Sequence, residues 1–204
     1  RTPLAAIRGT LEVLLRKRRE PEQYEERIQE VITQTDRLNQ LIDQLLQLAR
    51  LEGGSIKKEM INIEKLAEET ITKYDKQIVE KDIRVKIAIP EGTTVFTDNL
   101  FLSMVVDNLV SNALKYGDSN SQITIVWHDK GHLLSITNKG PEISKEHLPF
   151  LFDRFYRTDD SRSSHIAGSG LGLAIVKKLA DLMQLKITVD SYPGNTTFSL
   201  QFPS

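Results

Sequence analysis

The chain has 204 residues, 39% hydrophobic and 27% charged, the proportions of an ordinary soluble globular protein with room for one large core or two small ones. Its formal net charge of −1 gives no electrostatic footprint for nucleic acid or an anionic membrane, and with no cysteine it has neither a disulfide framework nor a thiolate metal site. No apolar run reaches the roughly 18–20 residues that span a bilayer, and no signal peptide is visible.

The sequence opens on Arg1 rather than Met, inside what reads as a helix, so it is read as a fragment. From Thr2 to about Leu51 the periodicity is helical. Leu4, Ile7, Leu11 and Leu14 or Leu15 recur at three- and four-residue steps until Arg18-Arg19-Glu20-Pro21 breaks the pattern. A second, longer helix carries Tyr24, Ile28, Val31, Thr35, Leu38, Ile42 and Leu45, alternately four and three residues apart. This is a heptad seam with polar flanks. Two such helices cannot bury both seams on each other alone. A homodimeric four-helix bundle solves this, and an intramolecular hairpin packed on the rest of the chain is the alternative.

Beyond Gly53-Gly54 the pattern becomes mixed. A helix is predicted over Ile63–Glu80, a strand over Ile83–Ile89, a short strand over Thr94–Phe96 and a long helix over Asn99–Tyr116. A hairpin follows, Ile123–Trp127 and Leu133–Thr137 around Asp129-Lys130-Gly131. A polar stretch, Arg157–Ser169, precedes the helix Leu171–Met183 and a last hairpin, Lys186–Asp190 and Thr197–Phe202, around Pro193-Gly194-Asn195. The mixture indicates an α+β fold, one sheet covered by helices on one face. The expected division is a helical hairpin over 1–52, a linker over 53–56 and a second domain over 57–204.

On the long helix, Asn108, Asn112 and Lys115 fall within about 60° of one another, opposite Val106, Val110 and Ala113. Amide oxygens suit Mg²⁺ and lysine suits phosphate, although the same residues also suit a solvated helix face. Gly168-Ser169-Gly170-Leu171-Gly172-Leu173 opens into the apolar Ala174-Ile175-Val176. Such a loop lets backbone approach an anion at a helix start, or is simply a flexible lead into the helix. It is neither a Rossmann fingerprint nor a Walker loop.

Five stretches, in order and spacing, resemble the sequence boxes of sensor histidine kinases. Arg1-Thr2-Pro3-Leu4 is similar to the tail of the H box, and Asp107–Tyr116 looks like the N box. Asn138–Ile143 stands at the first glycine box, Leu151–Arg157 at the F box, and Gly168–Val176 at the second glycine box. The resemblance covers almost the whole chain. It implies a dimerising hairpin followed by an α/β sandwich of the Bergerat type that binds ATP with Mg²⁺. Asn112 would hold Mg²⁺, with Asn108 beside it in catalysis. Lys115 would reach phosphate, Tyr116 would pack on the adenine or ribose, Asn138 would read the adenine amino group and Gly140 would let the base sit close. Ile143, Phe155, Tyr156 and Arg157 would line the nucleotide, Gly168, Ser169, Gly170, Leu171, Gly172 and Leu173 would cradle its phosphates, and Thr197 would contribute from the last turn. Arg157–Ala167 would be a mobile lid, in which Arg157, Arg162 or His165 could touch phosphate.

The phosphoacceptor histidine of the family would lie three residues before Arg1. None of His128, His132, His147 and His165 stands on the first helix, so this polypeptide is expected to bind ATP without autophosphorylating. Thr2 would sit one turn beyond that histidine and orient the hydrolytic water in the phosphatase reaction; an N-terminal cap before Pro3 is its other reading. Asn138 stands where most members have Asp, Glu142 replaces a glycine, and the last turn lacks one glycine. The family implies phosphotransfer to an aspartate on a response regulator receiver domain, and a cytoplasmic location in a bacterial inner-membrane protein whose membrane segments lie upstream. Gly53-Gly54 would act as a hinge. Two rivals remain: an ATPase of the gyrase- or chaperone-like superfamily, with Asp107 as the nearest acid, and a dimerisation module with a vestigial site.

Overall fold

A proline opens the second helix, and charged side chains tie both ends of the longest helix of the second unit. The computed structural model describes residues 2–18, 20–50, 56–158 and 169–203, and the chain divides into two units, 1–52 with 167–169 and 53–166 with 170–204. In the first unit, α1 (Thr2–Leu15) packs against α2 (Pro21–Arg50), with Pro21 at the first helical position, where its missing N–H costs nothing, and Glu22 in the first turn. Leu14 is buried between them, but Leu4, Leu11, Ile28 and Ile42 keep 42–60% of their surface exposed. The seam read from the sequence is therefore only partly covered within one chain.

The second unit opens with β1 (Lys58–Asn62), a strand that the sequence did not suggest, paired antiparallel to β3 (Thr94–Asp98). Asn62 caps α3 (Ile63–Thr72) by accepting from the Lys65 N–H at 2.9 Å. The single helix expected over 63–80 is two helices. α3 buries Ile63, Leu66, Ala67 and Thr70, whereas α4 (Asp75–Glu80) buries nothing, and a turn in which the Tyr74 N–H reaches the Ile71 carbonyl separates them. With no apolar face to hold it in line, the second segment follows the chain onward to β2 (Arg84–Ala88).

The long helix α5 (Asn99–Tyr116) buries Leu102, Val105, Val106, Leu109, Val110, Ala113 and Leu114. Both its ends are tied by charged side chains from outside the helix. At the start, the buried Asp98 carboxylate accepts from the Phe101 N–H (3.0 Å) and the Lys57 N–H (2.8 Å). At the end, the Lys81 ammonium donates to the Leu114 carbonyl at 2.6 Å and to those of Lys115 and Gly117 at 3.4 Å. A cation there satisfies terminal carbonyls and matches the negative end of the helix dipole.

The main sheet has the order β2-β4-β5-β7-β6, with β4 (Gln122–His128), β5 (Leu133–Asn138), β6 (Lys186–Tyr192) and β7 (Asn195–Gln201). Only the β2–β4 pair is parallel. Helices α3, α5 and α6 (Gly172–Leu182) form the covering layer: α5 contacts α3, α6 and β5, α6 contacts β6, and α3 contacts β2. The covered face is built of cross-strand rows. Trp127, Leu134, Leu200 and Ile187 form one, and Ile125, Ile136, Phe198 and Val189 the next. In the third row only Ile123 is apolar; Asn138, Thr196 and Ser191 complete it. The opposite face carries hydrogen-bonded hydroxyl pairs, Ser135 with Ser199 (3.0 Å) and Thr137 with Thr197 (2.8 Å).

Lys81→Met keeps the length of the side chain but removes its donors. It should cost about 1–3 kcal/mol, read by urea unfolding followed through Trp127, the sole tryptophan, which belongs to this unit. An unchanged midpoint would mean that the capping bonds add nothing net.

Candidate functional site

Three backbone segments converge at the polar end of the sheet. The Asp118 N–H donates to the Lys139 carbonyl at 2.9 Å, and the Gly140 N–H to the Gly194 carbonyl at 3.4 Å. This brings the end of α5, the segment after β5 and the β6–β7 turn together. A Cβ on Gly140 would stand 2.7 Å from the Tyr116 carbonyl oxygen, so only glycine permits the approach. Gly194 has φ +84° within the two-residue turn that pairs Tyr192 with Asn195.

The floor of this end is the polar row. Asn138 and Thr196 are buried and lie opposite each other. The Asn138 Nδ2 donates to the Lys139 carbonyl (3.4 Å), while the Thr196 and Ser191 hydroxyls are 2.8 Å apart. The Ile143 N–H donates to the Ser191 oxygen at 2.9 Å. Thr197 is elsewhere. Strand alternation turns it to the opposite face, where it bonds Thr137, and it is Thr196 that lies on the face of the polar row. The last strand begins at Asn195, two residues earlier than expected, and the alternation backwards from the buried Phe198 and Leu200 was the signal for Thr196. Ser191 was missed because it lies beyond the predicted end of its strand.

The side wall is α5, whose half-buried Asn108, Asn112, Lys115 and Tyr116 lie away from its apolar face. The Asn108 Nδ2 donates to the Met104 carbonyl at 2.8 Å, leaving its Oδ1 against Gly172, where a Cβ would come within 2.9 Å. The N-box helix and the start of α6 therefore touch through a residue with no side chain. The Lys115 ammonium stands 5.0 Å from the centre of the Tyr116 ring. Burial pushes the Tyr116 phenol up from its usual value, and the nearby Arg157 charge partly offsets this. On the flank, Asp107 is ion-paired with Lys73 at 3.4 Å, and burial first and the Asp107 charge second raise the Tyr74 phenol.

The third wall joins the F box to the second glycine box. The Phe155 N–H donates to the Gly170 carbonyl at 2.9 Å, and Gly170, at φ +72°, has the Phe155 backbone 2.7 Å from where a Cβ would be. Phe155 itself has φ +65°, a strained value for a bulky residue. The Tyr156 hydroxyl is 2.7 Å from the His147 Nδ1, and its ring lies against Phe150. Leu171 is fully buried, while Leu173 and Ser169 are half-buried. Leu171, at the N-cap position of α6, makes no side-chain capping bond. Gly168, Arg162, His165 and most of the expected lid lie outside the described residues, as do most of the 53–56 linker and the Thr2 side chain.

Residues 97–204 match the family of histidine kinase-, DNA gyrase B-, and HSP90-like ATPases, and residues 1–54 match the His kinase A phospho-acceptor domain. The chain belongs to the sensor histidine kinases. The sensor protein CopS of Pseudomonas syringae pv. tomato is 36% identical over 79% of this chain and 34% of its own length. This kinase sequence thus spans about a third of that curated relative. A structure of full-length ShkA in complex with AMPPNP is 25% identical, with TM-score 0.72 over 100% of this chain and 43% of that one. Histidine kinase ThkA, solved with the response regulator protein TrrA, shares the fold: TM-score 0.81, 22% identity, 98% of this chain and 57% of that one.

The raised Tyr116 value has a sign that can be tested. The folded kinase disfavours the phenolate, so this contribution to stability is fully present below the ordinary value of 10.0 and is lost as pH rises through the folded value. A near-ultraviolet titration of the kinase against its Tyr116→Phe variant should show this phenol ionising above pH 10; ionisation at the ordinary value would contradict the burial argument.

Proposed function

We propose that this chain is the catalytic core of a two-component histidine kinase, in which residues 57–204 bind Mg·ATP and residues 1–52 form the dimerising and phosphoacceptor hairpin. The observation that carries the reading is the polar row Asn138–Thr196–Ser191, which interrupts an otherwise apolar sheet face where Gly140 opens the way to backbone. A flat heterocycle fits there, with Asn138 Oδ1 accepting from the adenine amino group, Thr196 beside it and the Tyr116 ring alongside. The phosphates then extend along α5 towards Lys115 and the N-terminal start of α6. Leu171, Gly172 and Leu173 contribute backbone, Gly168–Gly170 the preceding loop, and Ile143, Phe155, Tyr156 and Arg157 the rim.

The site offers Mg²⁺ one neutral amide oxygen, from Asn112, with Asn108 beside it. This suits an ion that keeps its waters and is held mainly by substrate phosphates, and no group of three His, Asp or Glu that could hold a metal occurs among the described residues. When bound, the ion neutralises charge on the transferring phosphoryl group. The chain's own residues position the nucleotide and exclude water around it. A histidine imidazole one turn before Thr2 attacks the γ-phosphorus as the bond to the bridging oxygen breaks and ADP leaves. An aspartate of a response regulator then takes the phosphoryl group, and Thr2 orients water for its later hydrolysis. The ion pair with Lys73 argues against Asp107 as a water-activating base. The exposed seam residues of α1 and α2 support a homodimer, and residues 53–56 are the proposed linker. No described helix is long and apolar enough to cross a membrane; we place this core on the cytoplasmic side of a membrane sensor, where ATP is available.

The test uses this chain and one extended upstream to include the histidine, each with γ-labelled ATP and Mg²⁺. Acid-labile, base-stable label on the extended chain alone is expected. Asn112→Ala should lower Mg·ATP affinity about tenfold or more, while Asn138→Asp should raise it about fivefold by making the adenine contact charge-assisted. ATP bound with no label on either chain would sink the kinase reading.

A further inference from the structure

The Ser191 hydroxyl stands in a short hydrogen-bond chain with Ile143, Thr196 and Asn195. A hydroxyl has one proton and two lone pairs. One lone pair of Ser191 is taken by the Ile143 N–H at 2.9 Å, a contact in which Ser191 can only accept. Its proton has two acceptors in reach, the Thr196 Oγ1 at 2.8 Å and the Asn195 carbonyl at 3.5 Å. The shorter contact is a good hydrogen bond, which either hydroxyl can donate, and the longer lies at the limit of one. When Ser191 donates, the Thr196 proton is left for a group on the row that Thr196 shares with Asn138. Asn138 is oriented: its Nδ2 donates to the Lys139 carbonyl, which leaves Oδ1 as an acceptor.

We propose that Ser191 is a specificity-determining positioning residue: by relaying the Ile143 N–H through its hydroxyl, it holds Thr196 as a donor beside the Asn138 acceptor and so selects adenine over guanine. This rests on the nucleotide reading above. Adenine presents an amino donor next to a ring-nitrogen acceptor, the complement of this pair. Guanine presents a carbonyl acceptor and a ring N–H donor in the same places, which meets acceptor with donor the wrong way round at both positions. Without Ser191, the Thr196 hydroxyl is free to rotate and can accept from guanine or donate to adenine. Discrimination then rests on Asn138 alone.

The experiment measures the affinities of ATP and GTP, each with Mg²⁺, for the whole chain by calorimetry. The wild type should prefer ATP. Ser191→Ala should lower ATP affinity several-fold and reduce the ATP-to-GTP ratio by about tenfold, whereas Ser191→Thr, which keeps the hydroxyl, should retain the ratio. Thr196→Val should reduce the ratio as Ser191→Ala does, and the double variant should lose little more, because both act through one hydrogen-bond chain. A ratio unchanged in Ser191→Ala, with ATP and GTP weakened equally, would overturn the proposal and leave Ser191 a structural residue. A wild type that binds neither nucleotide would overturn the nucleotide reading itself.

Discussion

The site depends on where α5 is held. Its apolar face is buried from Leu102 to Leu114, which leaves Asn108, Asn112 and Lys115 no freedom to turn inward. Its axial position is set by two charges from outside the helix, the Asp98 carboxylate at the start and the Lys81 ammonium at the end. A charged donor or acceptor at a helix end is worth more than a neutral one because it meets both the unpaired backbone groups and the dipole. With the helix end fixed, the Tyr116 carbonyl stands where only a glycine at 140 can pass, and a side chain at 172 would have to push the Asn108 amide aside. The two glycine boxes are thus shaped by the same helix, one at each end of its polar line.

The second constraint is the cost of burying polar groups. Asn138, Thr196 and Ser191 interrupt a sheet face otherwise made of Ile, Leu, Val, Trp and Phe, and such groups are tolerated only when bonded. Here Thr196 and Ser191 bond to each other, Ser191 accepts from the Ile143 N–H, and Asn138 donates to the Lys139 carbonyl. The strained φ of Phe155 and its bond to Gly170 place a further fixed point at the mouth of the site. Preorganisation of this kind suits phosphoryl transfer, which needs positioning and charge more than covalent help.

Much of this was legible in the sequence, for reasons that differ from element to element. The heptad spacing of Tyr24 to Leu45 marked α2, and the break at Arg18–Pro21 separated it from α1. The N-box line was visible because a 3.6-residue period places Asn108, Asn112 and Lys115 together whatever surrounds them. β1 was not legible: Lys58-Glu59-Met60-Ile61-Asn62 buries only Ile61 fully, so its hydrophobic signal is weak, and it is a strand because β3 pairs with it. The break at Tyr74 was hidden because α4 has helical residues but no buried face. The face of Thr197 was not legible because its strand begins two residues before the predicted start, and strand alternation is what separates Thr197 from Thr196.

The measurement that bears most directly on the account is a crystal structure of this chain with Mg²⁺ and a non-hydrolysable ATP analogue. The adenine amino nitrogen should lie at hydrogen-bonding distance, roughly 2.7–3.2 Å, from Asn138 Oδ1. A ring nitrogen should face the Thr196 hydroxyl, and the phosphates should reach the first turn of α6. A base seated instead on the opposite face of the sheet, against Thr137 and Thr197, would contradict it.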